Sequence, residues 1–107
     1  MSGTFEQIVA LIEENDFLVS DHAYQELQND GLVIADLARG VPAGVLLEDY
    51  PDFHKGPSVL VLSKVEGVPV HSVWGLVKGQ NRPAWLITAY RPVPKKWMPN
   101  WKTRREA

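Results

Sequence analysis

Hydrophobic positions along the chain change their period once, at Gly40. Before it, Phe5, Ile8, Val9, Leu11 and Ile12 recur at helical spacing behind Thr4 and Gln7, a pair with capping-box spacing, and predict a helix over 4–15. Ser20 is a good N-cap for a second helix that turns Ala23, Tyr24 and Leu27 inward and stops at Asn29-Asp30-Gly31. A short third helix over 33–39, presenting Ile34, Leu37 and Ala38, is closed by Gly40. After Gly40 the apolar residues are β-branched or aromatic and run in short blocks. Strands are expected over 45–50, 58–65, 69–77 and 84–91, with a tight turn at Glu66-Gly67 and a looser loop over 78–83. Helices followed by a four-stranded antiparallel meander make a single α+β domain: 1–40 helical, 44–91 sheet, 92–107 a basic irregular tail.

Register sharpens this picture. With even-length loops at both hairpins, His71 faces Leu62 on one side and Tyr90 on the other, and Thr88 lies two residues from Tyr90 on the same surface. Trp74, Trp85, Ile87 and Arg91 then share the opposite face. An odd loop or a bulge would put Arg91 beside His71 instead. Either way His71 has a polar neighbour. Both faces of this sheet are largely apolar, and one block of helices covers one face. The other needs the Trp-rich tail, a second copy of the chain, or another protein.

Composition adds limits. The chain has 107 residues and no cysteine, which excludes disulfides, thiol nucleophiles and cysteine-based zinc sites. The N-terminal flank is acidic and the apolar runs are too short to span a bilayer, so a cytoplasmic, bacterial-type protein is expected. Net charge is −2, against a general nucleic-acid binder, yet the charge is unevenly placed. Residues 78–107 hold eight basic side chains and one acid, Glu106; residues 1–77 hold three basic and twelve acidic ones. The basic third could meet phosphate, with Arg82, Lys95, Lys96, Arg104 and Arg105 as RNA-backbone contacts. The four tryptophans could stack on bases, although in a small protein such residues usually serve the core.

His71, in an apolar strand, is the first candidate for proton transfer. His22, near the start of its helix, is the second, since the helix dipole there favours a neutral imidazole. His54 reads as a surface residue. Arg91 and Lys78 are the candidate cations beside the site. The histidines lack metal-ligand spacing, and no glycine-rich phosphate loop or nucleophile elbow occurs, so neither metal nor cofactor is expected.

His22-Ala23, Gly40, Glu48-Asp49-Tyr50-Pro51, Pro69-Val70-His71 and Ile87-Thr88-Ala89-Tyr90 together resemble the bacterial domain-of-unknown-function family 4258 over residues 20–97. That family is grouped with RelE-like toxins and the barnase/EndoU/colicin/RelE ribonuclease fold. The resemblance implies a metal-independent ribonuclease toxin acting on RNA and points to His71, His22, Tyr90 and Thr88 for catalysis; Arg91, Lys78 and Arg82, read above from position and charge, are then the expected phosphate contacts. It also implies a cognate antitoxin, in relatives often a small zinc-finger protein. Family members often carry an arginine before the glycine that ends this helix. Here Asn29-Asp30-Gly31 stands there, so that cation is absent. A non-catalytic interaction module of the same fold is the competing expectation.

Overall fold

In the computed structural model, which describes residues 3–105, helix gives way to sheet where the period changes. Glu106, the single acid of the basic third, lies outside the described residues. Helix α1 (Gly3–Glu13) buries Ile8, Leu11 and Ile12. It stops before residue 15 because Asn15 turns left-handed (φ 61°) and the Asp16 N–H reaches back to the Leu11 carbonyl. Gln7 closes no capping box; its amide donates instead to the Asn81 carbonyl at 2.7 Å. Helix α2 (Asp21–Asn29) is capped as expected, with the Ala23 N–H donating to Ser20 Oγ at 3.1 Å. Helix α3 (Ile34–Gly40) buries Leu37 and Ala38.

The sheet has five strands rather than four, and it is mixed. Strand β1 (Phe17–Val19) pairs parallel with β5 (Ala84–Tyr90), and β4 (Val68–Gly75), β3 (Ser58–Val65) and β2 (Val45–Tyr50) follow in antiparallel order. An apolar triplet is too short to display a period, and its partner is remote in sequence, which is why β1 is not legible as a strand. The Glu66-Gly67 turn sets the expected register, pairing Leu62 with His71, and His71 pairs with Tyr90 across β4 and β5. Beyond Val73–Thr88 the register shifts, and Trp74 pairs with Leu86. Ile87 is the extra residue of this bulge.

The bulge lets Ala89, Leu86 and Ala84 all face the helices, where each is fully buried. It also corrects the expected faces. Trp74 does lie opposite His71, but Trp85, paired with Gly75, shares the His71 face, and Ile87 packs over Gly75 on that face. Arg91 reaches neither surface of the His71 pair. Its N–H donates to Asp30 Oδ2 at 3.1 Å and its Nε to the Asp30 carbonyl at 3.2 Å.

The core fills the helix side, where Ile8, Leu11, Leu37, Val59, Val61 and Leu86 form one buried cluster with Trp74, whose ring meets Phe17 edge-on at 5.7 Å. Burying each such aliphatic side chain stabilises the fold by about 1.5–3 kcal/mol. The Trp74 indole N–H donates to Ser72 Oγ at 2.9 Å, so burial leaves no orphan donor there.

Strand β5 would be an open edge over its second half, because β1 covers only Ala84 to Leu86. Helix α2 lies along that half and substitutes side chains for a strand. Ser20 Oγ donates to the Ile87 carbonyl at 3.0 Å, and Glu26 Oε1 accepts from the Ala89 N–H at 3.2 Å. Asp30 accepts from the Arg91 N–H. His22, Glu26 and Asp30 recur every four residues, so one face of α2 addresses this edge.

Candidate functional site

The second face of the sheet is covered in part by the chain's own tail. Pairing of β2 with β3 sets Glu48 opposite Leu60 and Tyr50 opposite Ser58, on the same face as Leu62 and His71. Trp97 packs there, its ring edge-on to the His71 imidazole with centroids 4.2 Å apart. The Trp101 carbonyl lies 2.6 Å from His71 Nε2, and the Tyr90 hydroxyl 3.3 Å from Nδ1. A carbonyl can only accept, so Nε2 carries the proton and Nδ1 accepts from the tyrosine. His71 is 0% exposed beneath this cover. A Trp97–Arg104 bridge makes the described part of the tail a small hairpin.

Arg104 completes the cluster. Its guanidinium carbon stands 4.7 Å above the Trp97 ring and its Nη2 donates to Glu48 Oε1 at 3.2 Å, while the Tyr50 hydroxyl donates to the same oxygen. Electrostatics single out this patch. The hydrogen bond from Tyr50, with help from Arg104, holds the Glu48 carboxyl below its ordinary range. Donation to Glu48 pushes the Tyr50 phenol up, and burial pushes Tyr90 up, so both stay protonated. Pairing with Glu48 raises Arg104 further. Burial, aided by the nearby Arg104 charge, lowers His71 and keeps it neutral, against a smaller opposing pull from the Trp101 carbonyl. Contacts join these groups in two sets, Glu48 with Tyr50 and Arg104, and His71 with Tyr90, and the Trp97 ring touches both.

His71 and Tyr90 are therefore brought together as expected. His22 and Thr88 meet elsewhere: His22 Nε2 lies 3.2 Å from Glu26 Oε1, which also accepts from the Thr88 hydroxyl. This second patch reaches the first only through the Glu26 charge felt at Tyr90. Of the expected phosphate ligands, Arg91 is turned onto Asp30, and Arg82 faces Asp16 at 3.2 Å and Glu14 at 3.9 Å. Lys78 is exposed in the β4–β5 loop, with its backbone N–H on the Lys55 carbonyl. The cation at the site is Arg104. Glu48 and Tyr50 were not among the expected site residues, and Arg104 was expected only as an RNA-backbone contact. Alternation in β2 carries a signal for the first two, since pairing with β3 places them near His71.

Among the described residues, no three His, Cys, Asp or Glu side chains gather as metal ligands, and no helix is long and apolar enough to cross a membrane. The family model described as "Domain of unknown function (DUF4258)" matches residues 19–91, and the chain belongs to that family. The match starts at Val19, the last residue of β1, runs through β5, and excludes α1 and the covering tail. No curated protein and no solved structure matches the chain.

Proposed function

We propose that the chain is a RelE-like, metal-independent endoribonuclease of the toxin kind, with His71 as its proton-transferring group. The observation that carries this reading is the patch itself: an oriented neutral histidine, two protonated tyrosines, an ionised carboxylate and a guanidinium on one sheet face. Cleaving RNA through its own 2′-hydroxyl requires a base for that proton and fixed positive charge for the phosphorane, and this set contains both without a metal. When the Trp101 carbonyl leaves, the His71 proton can move to Nδ1, held by the Tyr90 oxygen. Nε2 is then free to take the 2′-hydroxyl proton as that oxygen bonds to phosphorus; the P–O5′ bond breaks, and the leaving 5′-oxygen takes its proton from solvent. Arg104, with Lys102 and Arg105 beside it in sequence, supplies the charge. His22, Glu26 and Thr88 serve the β5 edge in this reading. The partner is an antitoxin, and the apolar residues left exposed near the patch, Phe53, Val77 and Ile87, are available to it.

A second reading is favoured by one observation: His71 is wholly buried with both ring nitrogens engaged, as in a non-catalytic interaction module. Purified protein incubated with RNA in EDTA separates the two, alongside growth of bacteria expressing the chain alone. The first reading expects cleavage and growth arrest that His71→Ala abolishes. Intact RNA and unimpaired growth, including with a variant whose His71 is demonstrably accessible, would establish the second.

A further inference from the structure

The family match ends at Arg91, and the chain continues into a segment that bonds mainly to itself. The Met98 N–H donates to the Thr103 carbonyl, Trp101 to Met98, and Arg105 to Lys96, each at 2.8 Å. Among the described residues, two polar contacts tie this hairpin to the sheet: the Trp101 carbonyl on His71 and Arg104 on Glu48. The third tie is Trp97, which is 3% exposed and seated on the imidazole. Its backbone groups join no ladder of the five-stranded sheet.

The backbone at the contact is unusual in itself. Trp101 has φ 61°, in a left-handed region that bulky side chains seldom occupy. Asn15 and Glu66, the other non-glycine residues there, lie in turns between elements. Trp101 adopts it in the loop of the tail hairpin, and there its carbonyl meets His71. Such an outlier persists only where surrounding contacts hold it, and it points to a segment with a second state.

We propose that residues 93–105 form a releasable strap that closes the His71 site. The Trp101 carbonyl occupies the place where a substrate oxygen would meet Nε2, and the Arg104–Glu48 pair is the latch. The ion pair is solvent-facing, with the arginine side chain 60% exposed, so salt or a competing anion can open it. A polyanion offers Arg104 a phosphate in exchange for Glu48, and withdrawal of Arg104 lifts Trp97 and the Trp101 carbonyl together. That the opened site cleaves RNA rests on the ribonuclease reading above; access to His71 does not.

Diethyl pyrocarbonate modification of the full chain, resolved at each histidine by mass spectrometry, tests the strap. His22 and His54 are exposed and serve as internal standards. In wild type His71 is protected relative to both, and raising the salt concentration increases its reactivity. Trp97→Ala raises that reactivity at least about tenfold, equivalent to about 1.4 kcal/mol, with circular dichroism unchanged. A folded Trp97→Ala protein with His71 still protected overturns the proposal. Should Trp97→Ala unfold, Arg104→Gln decides: a rise of about threefold, as loss of an exposed pair allows, supports the strap, and no rise overturns it. RNA incubated with the same proteins keeps the two ideas apart. Accessible His71 without cleavage supports the strap and removes the ribonuclease reading; cleavage by wild type with His71 still protected in both variants removes the strap.

Discussion

Trp74 and His71 lie on the same strand, are both 0% exposed, and point to opposite faces of the sheet. Trp74 is buried by elements distant in sequence, α1, β1 and β5, and its one polar atom is satisfied within the strand by Ser72. His71 is buried by a single hairpin whose attachment rests on one aromatic ring and two polar contacts. The same degree of exposure thus describes two different physical situations. One burial is inseparable from folding; the other can be lost while the fold stands. Glu48, Tyr50, His71, Tyr90 and Arg104, whose ionisation is shifted, lie on the separable side.

Truncation shows the contrast at its largest on the helix side. Trp74→Ala should destabilise the protein by about 3–5 kcal/mol, read by denaturant unfolding, because it leaves a cavity beneath the helices beside Phe17 and Leu86. Trp97→Ala on the other face should cost clearly less while exposing His71; equal losses would erase the distinction.

The helix-capped edge comes next. Glu26→Ala leaves the part-buried Ala89 N–H and the Thr88 hydroxyl without their acceptor, and a loss of about 1–3 kcal/mol is expected. Amide exchange at Ala89 should accelerate in that variant, while exchange at Val61 follows global stability alone. Unchanged exchange at Ala89 would show that α2 does not substitute for a strand.

Much of this was legible in the sequence, for identifiable reasons. The two-residue Glu66-Gly67 turn leaves little freedom of register, so Leu62 opposite His71 follows from spacing; the longer 78–83 loop left Tyr90 or Arg91 open as the neighbour of His71, and the structure pairs Tyr90. Strand β1 was hidden because three residues carry no period. The Ile87 bulge was hidden because local alternation cannot reveal an extra residue, and it moved Trp85 and Ile87 onto the His71 face. Arg104 was visible only as one charge in a basic run. Its role depends on how a segment without regular structure folds back, which no periodicity records. The need for a cover over the second face was legible; its supply by the tail required the structure.

Acid should weaken the His71 side by a route the core lacks. The folded state holds His71 below its ordinary 6.5, so the unfolded chain binds the extra proton first. The resulting stability is complete above about pH 6.5 and declines as pH falls through that value toward the folded pKa. Glu48, held below 4.5, contributes stability that is lost only at lower pH, as its own folded pKa is passed. Unfolding midpoints of wild type and His71→Gln followed between pH 7 and 5 should therefore converge; parallel curves would deny His71 its buried neutral state.

The smallest effect belongs to the latch. Arg104→Gln should change global stability by no more than about 1 kcal/mol, as an exposed pair does, and the difference should shrink in high salt. A larger loss would mean that the strap is part of the cooperative fold.

Nitrogen NMR of the His71 ring tests the central claim most directly, since it reports tautomer and titration at the atom the strap covers. In wild type the proton should reside on Nε2, with titration below 6.5. In folded Trp97→Ala the tautomer preference should weaken and the titration should move back toward 6.5. A ring that keeps the same tautomer and the same titration in both proteins would contradict the account.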